Sequence, residues 1–142
     1  MSQTTQKGLV LFVVLLAVIA VLFLREKGTR AQSATYAALE TWDAQEDPNA
    51  PMLLEFGSYS CPPCKRMFPI LQELRQTYPT TLRVLFIDLG KEENLTAGSL
   101  HGIQLMPTQI YKDPNGTEIF RHEGFVSKQD IVAKWKELGY PL

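Results

Sequence analysis

Phe56-Gly57-Ser58-Tyr59-Ser60-Cys61-Pro62-Pro63-Cys64-Lys65 is the stretch from which the rest of the chain is read. It holds the only two cysteines in the sequence, separated by two prolines, where an apolar run gives way to a helical pattern. A Cys-x-x-Cys at a strand-to-helix junction sets the first sulfur at a helix N-terminus, where unpaired backbone N–H groups and the helix dipole favour a thiolate over a thiol. The second sulfur falls about one turn in, within reach of the first. A disulfide across so short a loop adds little by chain closure, so the pair reads as reactive rather than as a staple.

Immediately upstream, Met52-Leu53-Leu54-Glu55-Phe56 is a short apolar run with the pattern of a central strand buried on both faces, interrupted by one carboxylate. Downstream, Met67, Phe68, Leu71, Leu74 and Tyr78 recur at helical spacing, which predicts a helix from Pro62 to about Tyr78 with Pro69 inside it as a kink. Leu82 to Leu89 reads as a second buried strand, and Glu92 to Leu100 as a short helix ending near Gly102. Pro107 to Lys112 and Thr117 to Arg121 are strand patterns around Asp113-Pro114-Asn115-Gly116, whose Asn-Gly pair suits a tight hairpin. Ser127 with Asp130 is a box-like N-cap for a last helix, whose apolar face is Ile131, Val132, Trp135 and Leu138 before Gly139.

Upstream of the first strand, Glu46-Asp47-Pro48-Asn49-Ala50-Pro51 is turn chemistry, and Ala34 to Gln45 carries Tyr36, Ala38, Leu39 and Trp42 at helical spacing. Gly8 to Leu24 is uncharged and almost wholly apolar. As a helix it spans roughly 26 Å, the short end of what crosses a bilayer. Residues 1–27 are therefore read as a transmembrane anchor, with a cleaved signal segment (Ala31-Gln32-Ser33 before Ala34) as the alternative. Residues 28–33 are a linker and 34–142 one α/β domain. Arg25, Lys27 and Arg30 outnumber Lys7, which by positive-inside counting keeps the domain in the cytoplasm. The short tail, its amino group and the persistence of disulfides outside argue for the other side, and that orientation is the one adopted.

Net charge is −1, which supplies no field for nucleic acid, so no nucleic-acid partner is expected. A zinc site needs four ligands, and beyond the cysteines only His101, His122 and carboxylates are available without ligand-like spacing, so no metal is expected. Cys61 is the nucleophile and Cys64 the resolving thiol. Glu55, costly to bury as an ion, is either a proton acceptor for Cys64 or a strand-end residue reaching solvent.

The order β-α-β-α-β-β-α with Cys-x-x-Cys after its first strand resembles the thioredoxin family, over about Ala34 to Gly139. The likeness includes the carboxylate six residues before Cys61 (Glu55), the proline eight after it (Pro69), the pair Pro107-Thr108, and Gly124. It departs where Ser60 replaces the usual Trp, where Pro62-Pro63 replaces Gly-Pro, and where Arg83-Val84-Leu85-Phe86-Ile87 lacks the usual lysine.

The resemblance implies a thioredoxin fold, a central mixed sheet flanked by helices, here preceded by the N-terminal transmembrane helix. It implies a cis bond before Pro107, where residue patterns alone allow a simple strand start, with the Met106 backbone open to strand-like pairing with a substrate. Tyr59, Ser60, Pro62, Pro63, Thr108, Gly124 and Phe125 are expected to flank the substrate, the bland reading for each being loop packing. With its anchor the chain looks like a tethered, extracytoplasmic member on a bacterial inner membrane, facing the periplasm. It would need no cofactor beyond its own disulfide. Such a protein reduces protein disulfides, for example in apocytochrome c, and is re-reduced by a membrane dithiol carrier. The alternatives are a disulfide-forming oxidase or isomerase and, from another class, a redox-inert tethered binding module.

Overall fold

The computed structural model describes residues 12–27, 40 and 47–142. The chain divides into two units, Met1–Ala37 and Ala38–Leu142. In the first, residues 12–27 form helix α1, exposed along its length and ending in Arg25, Glu26 and Lys27. Among the described residues no helix is long and apolar enough to cross a membrane. Positions 8–11 of the apolar run lie outside the described residues, as do the linker at 28–33 and, except for Glu40, the helix expected over 34–45.

In the second unit, Asp47 accepts the Asn49 backbone N–H at 2.8 Å and closes a turn through Ala50 N–H to its own carbonyl at 3.0 Å. The chain then enters β1 (Met52–Gly57), and α2 (Pro62–Thr77) follows. The apolar stripe on α2 buries Cys64, Met67, Phe68, Leu71 and Leu74. Each fully buried large apolar side chain contributes about 1.5–3 kcal/mol, so the stripe rather than propensity holds the helix, and Pro69 is tolerated on its exposed side. After β2 (Arg83–Asp88), a 3-10 turn at Glu92–Asn94 runs into α3 (Leu95–Leu100), closed by Gly102 at φ 63°. β3 (Thr108–Lys112) and β4 (Glu118–Glu123) form the hairpin, and α4 (Lys128–Glu137) ends the fold.

The sheet order is β2-β1-β3-β4, with β1 parallel to β2 and the other two pairs antiparallel. Strand alternation sends Leu53, Glu55 and Gly57 to one face, together with their register partners Val84, Phe86, Tyr111 and Gln109. That face is covered by α2 and α4: Phe68 meets Phe86 edge-on at 4.9 Å, and Trp135 lies 4.9 Å from Tyr111. On the other face Leu54, Phe56 and Ile110 form a smaller core with Ala97 and Ile103.

Two expectations are corrected in detail. β2 is an edge strand whose residues alternate between half-buried and buried, because the six-residue α3 covers its outer face less fully than α2 covers the inner. The hairpin is not a two-residue Asn-Gly turn, since only Gly116 takes a positive φ (83°). Asp113 instead accepts N–H groups from Asn115 and Thr117 at 2.9 and 2.8 Å, making a longer side-chain-capped loop. The Ser127 cap is present, accepting the Asp130 N–H at 3.2 Å and donating its hydroxyl to Asp130 Oδ2 at 2.6 Å.

Candidate active site

Cys61 is the N-cap of α2, in extended conformation and partly exposed, and Cys64 in the first turn is fully buried. The two are joined as a disulfide. An N-cap side chain meets the N–H groups of the second and third helical residues. Here the second is Pro63, which has none, and the third is Cys64, whose N–H lies 3.4 Å from Cys61 Sγ. One of the two donors a thiolate at Cys61 could use is therefore missing.

The Met106–Pro107 peptide is cis, as the resemblance implied, and the Met106 carbonyl oxygen lies 3.9 Å from Cys61 Sγ. Pro107 is buried, while Met106 is exposed beside the cysteine. Gly124, at φ 96°, donates its N–H to the Pro107 carbonyl at 2.7 Å and so ties the end of β4 to this loop. Phe125 follows, 40% exposed, with the Arg66 guanidinium 4.6 Å above its ring.

Glu55 does not reach solvent. It is fully buried, and neither carboxyl oxygen has a hydrogen-bond partner among the described residues. Burial pushes its pKa well above the usual carboxylate range, and the Gln109 amide acts in the opposite direction. The same burial, with the charges of Glu55 and Asp130, raises the Tyr111 hydroxyl. Glu55 lies on the Cys64 side of the sheet: a Cβ on Gly57, the next residue along that face, would sit 3.2 Å from Cys64 Sγ.

Cys61, Cys64, Met106 and Pro107 are thus brought together, Ser60, Pro62 and Pro63 border them, and Glu55 lies beneath. Two of the residues expected to flank the substrate also serve the fold. Thr108 is fully buried and its hydroxyl donates to Leu105 O at 2.7 Å, so it shapes the loop from inside. The Tyr59 ring packs 5.3 Å from Phe68 and from Phe86, and its hydroxyl donates to Glu40 at 2.5 Å. Sequence reasoning missed Gly57, Gln109 and Glu40, which also pairs with Lys91. Gly57 and Gln109 become visible only through register, and Glu40 through contacts far apart in sequence. Among the described residues no three His, Cys, Asp or Glu side chains converge on one point.

A buried cysteine sulfur disulfide-bonded to a partly exposed one, at a helix N-terminus on the end of a mixed sheet, is the site of a thiol–disulfide oxidoreductase domain. The thioredoxin family model matches residues 34–137, and the chain belongs to that family. It is 29% identical over 103 residues to the chloroplastic thioredoxin Y1 of Arabidopsis thaliana, covering 69% of this chain and 58% of that one. It is 32% identical over 88 residues to the thioredoxin of Synechocystis sp., covering 61% and 78%. The chain thus spans under two thirds of the length of the first relative. Among solved structures it resembles thioredoxin-2, a component of malaria parasite protein secretion machinery. The TM-score is 0.57 and the identity 28%, over 63% of this chain and 84% of the other. Thioredoxin-family proteins work through their own cysteine disulfide rather than a bound cofactor.

Proposed function

We propose that the whole protein is a membrane-anchored thiol–disulfide oxidoreductase that reduces protein disulfides outside the cytoplasm. The observation that carries the reading is the half-exposed Cys61 bonded to the buried Cys64 beside the open Met106 backbone. In the reduced protein the Cys61 thiolate attacks one sulfur of the target disulfide, forming a mixed disulfide and releasing the other target sulfur as a thiolate. Cys64 gives its proton to Glu55 and attacks the Cys61 sulfur. The second target sulfur leaves, and two electrons have passed to the target as Cys61 and Cys64 form their disulfide. Glu55→Gln is expected to slow this second step and spare the first; equal rates in both steps would remove Glu55 from the mechanism.

The reducing direction is supported by Pro63, because a thiolate with fewer donors makes the dithiol less stable relative to the disulfide. The membrane is supported by the apolar run Gly8–Leu24, and the periplasmic side by the persistence of disulfides outside the cytoplasm, against the basic residues Arg25, Lys27 and Arg30 that follow the run. A membrane dithiol carrier would return the two electrons, and apocytochrome c is a target of the right chemistry. Measuring the reduction potential against glutathione tests the direction. A potential below that of the glutathione pool is expected, while a value near the strong oxidants would favour the oxidase reading. A Cys61→Ala variant that kept full partner function would favour the binding module.

A further inference from the structure

Directly across the β1–β3 pair from Glu55 stands Gln109. Register partners in an antiparallel pair share one face of the sheet with Cβ atoms about 5 Å apart, so carboxyl and amide lie in the same layer, under α2 and α4. Both residues are fully buried. Glu55 Oε1 and Oε2 and Gln109 Oε1 and Nε2 all lack a fixed hydrogen-bond partner among the described residues. On its other flank Glu55 is paired with Phe86, which offers no polar group. An apolar side chain at position 109 would avoid burying an unpaired amide, so the glutamine has a cost that packing does not explain.

We propose that Gln109 is the positioning residue for the Glu55 carboxyl, its amide donating from Nε2 to the carboxylate and, turned over, accepting at Oε1 from the carboxylic acid. The inference rests on the reading of Glu55 as the proton acceptor for Cys64. A carboxyl that takes a proton and later returns it changes from acceptor to donor, and its partner has to change in the opposite sense. An amide carries a donor and an acceptor on one planar end, so half a turn about its terminal bond exchanges them. A lysine would serve only the ionised state and a leucine neither.

The other groups that face this layer are accounted for. β2 contributes Asp88 at its end, the register partner of Gly57; β3 contributes Tyr111. β4 contributes His122, the partner of Gln109, whose ring lies 3.3 Å from Phe125 O. α2 contributes Cys64, and Asp130 and Lys134 of α4 line a cavity with Tyr111 and His122. Gln109 is the one neutral amide among them, adjacent to Glu55 by register.

The test is a titration of Glu55 in the reduced full chain in detergent, by 13C NMR of labelled glutamate carboxyls, with the signal assigned by its loss in Glu55→Gln. Gln109→Met keeps the side-chain length and removes the amide. Its Glu55 midpoint is expected to rise by about one pH unit, tenfold in acidity, and the pH profile of the resolving step is expected to move with it. The first attack by Cys61 should keep its rate. Gln109→Asn retains an amide one methylene short, and its midpoint should fall between those of the parent and the Met variant. An unmoved midpoint in Gln109→Met overturns the assignment. If that variant does not fold, an Asn midpoint equal to the parent's does the same. If Glu55→Gln slows resolution while Gln109→Met leaves the midpoint in place, only the Gln109 assignment fails. If Glu55→Gln alters neither step, the proton-acceptor reading fails, and the NMR midpoints still decide the role of Gln109.

Discussion

Burial strips an ionised carboxylate at Glu55 of bulk solvation, so the folded protein keeps that proton to a higher pH than the unfolded chain does. The folded state then binds more protons than the unfolded one between the ordinary glutamate pKa, about 4.3, and the raised value. Stability contributed by the neutral form is fully present below that window and is lost as pH rises through it. Glu55→Gln removes the titration. Its advantage over the parent should therefore grow by about 1.4 kcal/mol per pH unit across the window, and thermal melts from pH 4 upward check this. At the cysteine, Pro63→Ala restores the N–H that Pro63 lacks at the second helical position and should lower the Cys61 thiol pKa by about one half to one pH unit. Pro62→Gly should move it less, because the first helical N–H is not aimed at the cap side chain. Thiolate absorbance against pH in the two variants separates these outcomes, and equal shifts would remove the argument.

At the scale of elements, the site depends on how closely β1 approaches α2, and Gly57 sets that distance. A Cβ there would lie 2.9 Å from the Phe86 ring and 3.2 Å from Cys64 Sγ. Phe86 is 1% exposed and wedged against Phe68 and Tyr59, so it has no room to move. Gly57→Ala should cost about 1–3 kcal/mol in a denaturant melt and slow the resolving step by displacing Cys64. A variant with parent stability and rate would show that the contact yields. The elements themselves were legible in the sequence, because the helical spacing from Met67 to Leu74 and the apolar runs of β1 and β3 report periodicity, which is local. Cys61, Cys64 and Glu55 were legible for the same reason: they lie on one continuous strand-to-helix stretch. The burial of Glu55, the inward turn of Thr108 and the pairing of Gln109 were not, since each depends on which strands become neighbours, and periodicity within a strand carries no register. Pro107 and Gly124 lay between these cases, readable through the family's pattern and joined only by the bond from Gly124 N–H to Pro107 O.

For the whole molecule, the question is what an exposed apolar helix does in a chain whose other unit buries its own core. Phe12, Leu15, Leu16, Val18, Leu22 and Leu24 are each at least half exposed. The catalytic domain keeps comparable side chains inside, where Leu53, Leu71 and Leu74 are fully buried. A run of this composition lowers its free energy by entering lipid, and in sequence Gly8–Leu24 is as long as the shortest segments that span a bilayer. The expectation is that the full chain sediments with membranes and resists extraction at alkaline pH. Leu16→Arg, which sets a charge near the centre of the run at a cost of about 2.5–3.5 kcal/mol, should release a substantial fraction to the soluble phase. The thiol activity of the released protein should equal the parent's, because position 16 lies outside the residues that form the site. Protection of the domain from protease added to right-side-out and inverted vesicles then fixes its side. Digestion only in the inverted vesicles would place Cys61 and Cys64 in the reducing cytoplasm and remove the membrane carrier from the scheme, leaving a cytoplasmic reductant as the source of electrons.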